Sequence, residues 1–265
     1  MISEKTTSEV GMGKIIAIAT QKGGVGKTTT AVNLSASLGA KRKKTLLIDL
    51  DPQGNSTSGV GINKREVETS SYDVLLGSTA PEEVILKTEF DHLHILPCNI
   101  QLAGAEIELV DMPDRVNALK KAIVHLKEFY DYIFIDCPPS LGLITLNALT
   151  ACDTLLIPIQ CEYYALEGLS QLMATVRQVK KMYNPTIEIE GVVLTMYDGR
   201  LNLTAQVMNE VKKYYGEKVF QSTIPRNVRL SEAPSHGKPA YYYDRASSGT
   251  KAYVDLAAEL MKRNR

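Results

Sequence analysis

A glycine-rich turn closing on a lysine and a hydroxyl residue suits a polyphosphate with its metal ion, and residues 20–29, TQKGGVGKTT, have that form. Gly23, Gly24 and Gly26 let the backbone turn tightly and aim N–H groups at a phosphate, while a helix beginning near Lys27 adds its positive dipole end. Lys27 is spaced for the β- and γ-phosphates, and the Thr28 hydroxyl for Mg2+. The pattern G-x-x-x-x-G-K-[ST] is broken at its first position. Gln21 stands where glycine is usual, and a second lysine, Lys22, follows it.

Further polar clusters follow apolar runs. In DLDPQGN, Asp49 and Asp51 alternate at a strand end that Pro52 stops. Asp51 is placed to orient a water toward a γ-phosphate, and the segment 54–63 to move with nucleotide state; the lesser alternative, for Asp49 more than for Asp51, is that the carboxylates only cap the following turn. YIFIDCPPS ends a strand in Asp136, the form of an acid that holds Mg2+, usually through water. The stretch 224–239, IPRNVRLSEAPSHGKP, offers Pro225, Arg226, Asn227 and Arg229; a wall for an adenine ring, a DNA contact and a plain loop all fit it.

The elements that must position these groups are short Ile-, Val- and Leu-rich runs at 14–20, 45–50, 93–98, 132–137, 154–160, 189–197 and 218–225. Several are apolar at nearly every position, as in strands covered on both faces. Between them lie helical patterns at 28–39, 115–130, 165–183, 203–215 and 250–263; the second carries the stripe Val116, Leu119, Ile123, Leu126 and Tyr130. Alternating strands and helices predict right-handed βαβ units and an α/β fold whose ligand crevice lies beyond the carboxyl ends of the strands. Residues 1–13 read as a flexible tail and 14–265 as a single domain.

Composition narrows the field. With 30 basic and 30 acidic residues among 265, any nucleic-acid contact must come from a local basic patch. Cys98, Cys137, Cys152 and Cys161 lack zinc-ligand spacing and read as reduced thiols, Cys137 as a small core residue. His92 and His94 alternate without an evident third metal ligand. No secretion signal or membrane span is seen, so a cytoplasmic location is expected.

Taken together, these residues resemble the deviant Walker A ATPases, whose loop reads K-G-G-x-G-K-[ST]-T, as residues 22–29 do. Within them the chain is most similar to the ParA/Soj partitioning ATPases, through DPQGNSTSGVG, IQLAGAEIEL, DCPPSLGLITLNAL, QCEYYALEGL and IPRNVRLSEAPSHGKP, across roughly residues 13 to 264. The resemblance implies a three-layer P-loop NTPase fold with a twisted, mostly parallel β-sheet of about seven or eight strands and helices on both faces. It implies ATP and Mg2+ as cofactors, nucleotide contacts from Lys22, Gly23, Gly24, Val25, Gly26, Lys27, Thr28, Thr29, Pro225 and Asn227, metal contacts from Thr28, Asp51 and Asp136, and catalysis by Lys22, Lys27 and Asp51. Lys22 would reach the partner's nucleotide in an ATP-bound homodimer.

The same resemblance implies non-specific double-stranded DNA binding through Arg200 and Arg229, a nucleoid-associated location, and a DNA-bound ParB-type activator that engages the N-terminal tail, at Lys5 or Lys14. Lys212, Lys213, Arg226, Arg245 and Lys251 are further basic candidates by charge alone. The alternative within the superfamily is a MinD-like, membrane-associated positioning ATPase. Its family ends in a basic lipid-binding helix, whereas the final stretch here, YVDLAAELMKRNR, is expected to pack Val254, Leu256, Ala257, Leu260 and Met261 on the sheet. An iron–sulfur role like that of nitrogenase iron protein, which shares the loop, would need two cluster cysteines per subunit; Cys137, Cys152 and Cys161 sit in ParA-like strings instead.

Overall fold

The computed structural model describes residues 12–162 and 165–264, with only the backbone of Ala165. Strands β1 (Lys14–Ile18), β2 (Thr45–Asp49), β3 (Leu86–Lys87), β4 (Leu93–Leu96), β5 (Tyr132–Asp136), β6 (Thr154–Gln160) and β7 (Glu188–Thr195) form one sheet in the order β3-β4-β2-β5-β1-β6-β7. Every pairing is parallel except β3 with β4. The helices are α1 (Lys27–Ala40), α2 (Asn55–Gly59), α3 (Ser71–Leu76), α4 (Pro81–Val84), α5 (Leu102–Glu108), α6 (Ala118–Ile123), α7 (Leu143–Ala151), α8 (Ala165–Met182), α9 (Asn202–Tyr215), α10 (Val228–Glu232), α11 (Ala240–Tyr243) and α12 (Ser248–Arg263).

Side chains along the central strands alternate between two cores, which is why the apolar runs lack a polar phase. Ile15, Ala17, Leu46, Ile48, Ile133 and Ile135 pack with Leu102, Leu119, Ile144 and Leu172 from α5, α6, α7 and α8. Ile16, Ile18, Leu47 and Phe134 pack on the other face with Leu34 and Leu38 from α1 and Tyr253 and Leu256 from α12. The fold is thus the expected three-layer α/β sandwich. Ile18 pairs with Asp136, and Asp136 with Asp49, so β1, β5 and β2 end level at one edge of the sheet.

The segment 218–225, expected as a strand, meets β7 only at the isolated bridges Val192–Val219 and Tyr197–Pro225. The Phe220 and Ile224 N–H groups still donate to the Val192 and Leu194 carbonyls of β7, each at 2.8 Å, but between them the N–H groups of Gln221 and Ser222 donate to the Glu259 carboxylate of α12, each at 2.9 Å, which interrupts the ladder. The 115–130 helix is also shorter than expected. It comprises α6 and a 3-10 turn over Val124–Glu128, and together these bury Leu119, Ile123, Leu126 and Tyr130.

Gly13 belongs to the folded body, not to a tail. Its N–H donates to the Lys127 carbonyl at 2.9 Å, and a Cβ there would lie 1.9 Å from the Tyr130 carbonyl oxygen. Lys5 and the rest of residues 1–11 lie outside the described residues. Lys14 sits at the amino end of β1, opposite the phosphate loop, ion-paired at 2.5 Å with buried Glu190 and hydrogen-bonded to Asn264. That pair gives Lys14 a structural role.

Burial pushes the Glu190 carboxyl up, but hydrogen bonds from Lys14, Thr154 and Asn264 outweigh it and leave it below its ordinary value of 4.5. A carboxylate held down in the folded state stabilises the protein above its unfolded pKa and loses that contribution as pH falls through the folded value. Glu190→Ala is expected to cost about 3 kcal/mol in urea unfolding near pH 7, because it strands Lys14 and Asn264. It should also flatten the loss of stability below about pH 5. A cost below about 1 kcal/mol would class the pair with ordinary surface ion pairs.

Candidate nucleotide site

The loop between β1 and α1 takes its shape from glycines at positive φ, Gly24 at 72° and Gly26 at 85°. Gly26 caps α1 without a side chain, which leaves the first amides of the helix open to an anion. The far side of the loop is braced by Thr195, at the end of β7, whose hydroxyl donates to the Val25 carbonyl at 2.8 Å. Lys27 is only 6% exposed, and its Nζ donates to the Lys22 carbonyl at 3.1 Å. Burial lowers the pKa of Lys27, while the charges of Asp136 and Asp51 oppose the shift.

The acids at the neighbouring strand ends divide the work. Asp49 is fully buried; its Oδ2 accepts from the Thr57 N–H at 2.8 Å and hydroxyl at 2.7 Å, and its Oδ1 from the Asp51 N–H at 3.2 Å. It therefore anchors α2 and the turn before it. Asp51 uses Oδ1 to accept the Gln53 N–H at 2.9 Å. Asp136, also fully buried, accepts from the Ser56 hydroxyl at 2.8 Å through Oδ2, while Oδ1 has no hydrogen-bond partner. Burial, then the Asp49 charge, raises the pKa of Asp136, and the Ser56 and Thr28 hydroxyls pull it back.

An orphaned carboxylate oxygen among three acids, with the Thr28 hydroxyl beside it, fits a hard divalent cation such as Mg2+. Thr28, Asp136 and Asp51 are the residues that would hold it, and the bound cation would neutralise charge on a transferring phosphoryl group.

Beside the loop opens a cavity of about 450 Å3, walled by Gly26, Thr28 and Thr29, by Asn55, Ser58 and Gly59 of α2, and by Thr195, Met196, Pro225, Arg226, Asn227 and Leu230. Pro225 and Asn227 thus face one cleft with the phosphate loop. Asn227 also caps α10, accepting from the Arg229 N–H at 2.9 Å and donating to Ser248 at 2.9 Å. Lys22 does not line this cleft; it is 38% exposed and ion-paired with Glu162, just past β6.

Arg200 lies in the turn after β7 and Arg229 in α10, on segments joined by the Tyr197–Pro225 bridge, Arg200 paired with Asp198 and Arg229 with Glu232 and Asp244. His94 hydrogen-bonds to Tyr130 at 2.8 Å, and His92 precedes β4 at φ 52°, so the two do not share a strand face.

Sequence reasoning passed over Ser56, Thr57, Glu162, Thr195 and Met196. Glu162, Thr195 and Met196 follow or close strands, so the rule that located the acids would have found them. Ser56 and Thr57 lie in NSTSG, which follows Asp51 after Pro52, Gln53 and Gly54, and their targets become visible only in three dimensions.

A glycine-rich phosphate loop after the central strand β1, acids at the ends of β5 beside it and of β2 beyond, and a nucleoside-sized cleft define a P-loop nucleoside triphosphatase. Known proteins narrow the class. The AAA domain family matches residues 13–189. The chain is 59% identical to the sporulation initiation inhibitor protein Soj of Bacillus subtilis, over 94% of this chain and 98% of that protein. It is 52% identical to the chromosome partitioning protein ParA of Myxococcus xanthus, over 96% and 89%. Among solved structures, cobyrinic acid a,c-diamide synthase of Mycobacterium smegmatis with bound ADP and magnesium superposes with a TM-score of 0.83 at 36% identity, over 95% of each chain. The chain belongs to the ParA/Soj family of partitioning P-loop ATPases.

The Ser56 hydroxyl orients the acid that would hold the metal. Ser56→Ala is expected to weaken Mg2+-dependent ATP binding by about tenfold in titration calorimetry and to leave binding in EDTA unchanged. Equal affinities with and without the substitution in Mg2+ would remove Ser56 from the site.

Proposed function

We propose that this chain hydrolyses ATP, with Mg2+, as a dimerising switch that binds DNA without sequence preference and drives chromosome or plasmid partitioning with a ParB-type activator. The observation that carries the reading is the division between two lysines of one loop: Lys27 is buried beside Asp136 and Asp51, whereas Lys22 is half-buried and ion-paired with Glu162 just past β6. A cation so placed is available to a nucleotide on a second subunit, where it would stabilise charge developing on the γ-phosphoryl group. Asp51 would orient the attacking water. Loss of the γ-phosphate would then release the dimer.

DNA contact through Arg200 and Arg229 is supported by their exposure, 89% and 50% for the side chains, and by the bridge that joins the segments before them. Both are held in surface ion pairs, which are weak enough to exchange for phosphate oxygens. α12 packs Tyr253, Leu256, Ala257 and Leu260 into the core, with Val254 and Met261 half-buried, which favours DNA over a lipid surface. Among the described residues no helix is long and apolar enough to cross a membrane.

The test is binding to random-sequence duplex DNA with ATP, with ADP and without nucleotide, across a salt series. Binding only with ATP, weakening steeply with salt, is expected; no binding under any condition would overturn the DNA role and turn attention to liposomes. In size-exclusion chromatography with ATP, Lys22→Ala is expected to bind nucleotide yet stay monomeric, Asp51→Ala to accumulate as a dimer, and Lys27→Ala to lose ATP. A normal dimer from Lys22→Ala would refute action across the interface. Arg200→Glu should dimerise and lose at least about tenfold in DNA affinity with a shallower salt slope; unchanged affinity removes it from the patch.

A further inference from the structure

Helix α7 follows the loop 137–142, which leaves β5 directly after Asp136, and β5 lies between β1 and β2, the strands that lead to Lys27 and Asp51. Its N-cap, Gly142, has no side chain to satisfy the first helical amides. The cap comes from another helix: the Glu106 carboxylate of α5 accepts from the Leu143 N–H at 2.9 Å and the Ile144 N–H at 3.3 Å. Gly142 is required by space and not by dihedral angle. Its φ is −80°, and a Cβ there would stand 2.4 Å from Glu106 Oε1.

The other end of this connection reaches the opposite wall. In the turn between β4 and α5, the Cys98 N–H donates to the Thr57 hydroxyl at 2.9 Å, and that hydroxyl donates to Asp49. Leu102 and Ala105 seat α5 in the core. The stretch from Cys98 through α5 thus links α2, which borders the cleft, to the start of α7. A serine or aspartate at position 142 would have capped α7 locally; a remote glutamate makes the loop depend on where α5 sits.

We propose that Glu106 is a positioning residue for ATP hydrolysis, fixing the loop 137–142 against the phosphate end by capping α7 from α5. The inference rests on the ATPase reading above. It is distinct from fold stability, because an alternative cap can restore the helix without restoring the link to α5.

The experiment compares wild type, Glu106→Ala, Glu106→Gln and the double variant Glu106→Ala with Gly142→Asp in steady-state ATP hydrolysis and thermal unfolding. Glu106→Ala is expected to lower kcat by about tenfold with KM changed less than about twofold, as for a misplaced loop and not a lost binding contact. Glu106→Gln, which keeps an acceptor, should recover most of kcat. The double variant should regain the wild-type Tm through its local cap while kcat stays low. Recovery of kcat together with Tm in the double variant, or an unchanged kcat in Glu106→Ala, would overturn the proposal. If wild type shows no Mg2+-dependent hydrolysis, the ATPase reading itself fails and the proposal with it.

Discussion

Three carboxylates and one ammonium meet at the water-poor edge of the sheet, and much of the molecule serves to make that meeting tolerable. Parallel register brings Asp136 level with Ile18 on one side and with Asp49 on the other, so the loops that follow these strands converge on one point. Burial alone would neutralise such acids. Asp49 meets this with three hydrogen bonds from the turn and from α2. Asp136 has the Ser56 hydroxyl and one open oxygen, and Lys27 supplies opposite charge. The site is electrostatically unfinished, which is the condition expected of a place that waits for a cation and a polyphosphate.

Because the acids are held from several directions, the segments that hold them become coupled. α2 answers to Asp49 and Asp136 through Thr57 and Ser56 and lines the nucleoside cleft through Asn55, Ser58 and Gly59. Thr57 also receives the N–H of Cys98, which joins α2 to the approach of α5. A change at the γ-phosphate end therefore has a physical path into two surface elements through hydrogen bonds whose loss would strand buried groups.

The two lysines of the loop illustrate how position sets chemistry. Lys27 lies at the helix start and is drawn inward, where burial makes its charge costly and its carboxylate neighbours make it useful. Lys22 precedes the glycines and emerges on the outer side, with Glu162 as its counter-ion. Five residues apart in sequence, they face different surroundings because Gly24 and Gly26 reverse the chain between them.

The sequence by itself determined the layered α/β class, the sheet of two-sided strands, the phosphate loop and the acids at strand ends. These features are written in consecutive residues: a glycine run, a lysine with its threonine, and apolar stretches without alternation. It read 218–225 as a full strand, whereas Phe220 and Ile224 bond to β7 but the Gln221 and Ser222 amides between them are taken by Glu259 on α12, and it placed Gly13 in a tail although the Lys127 and Tyr130 carbonyls leave room there only for glycine. Only the tertiary structure decided which of Asp49 and Asp51 anchors the turn, which side Lys22 faces, and that Ser56 and Glu106 serve the site. Ser56 and Asp136 are 80 positions apart, Lys22 and Glu162 140, and Glu106 and Leu143 37. Local pattern carries the period of a strand or helix and the chemistry of a loop, whereas such partnerships exist only once strand register and helix packing have fixed which distant groups share a space.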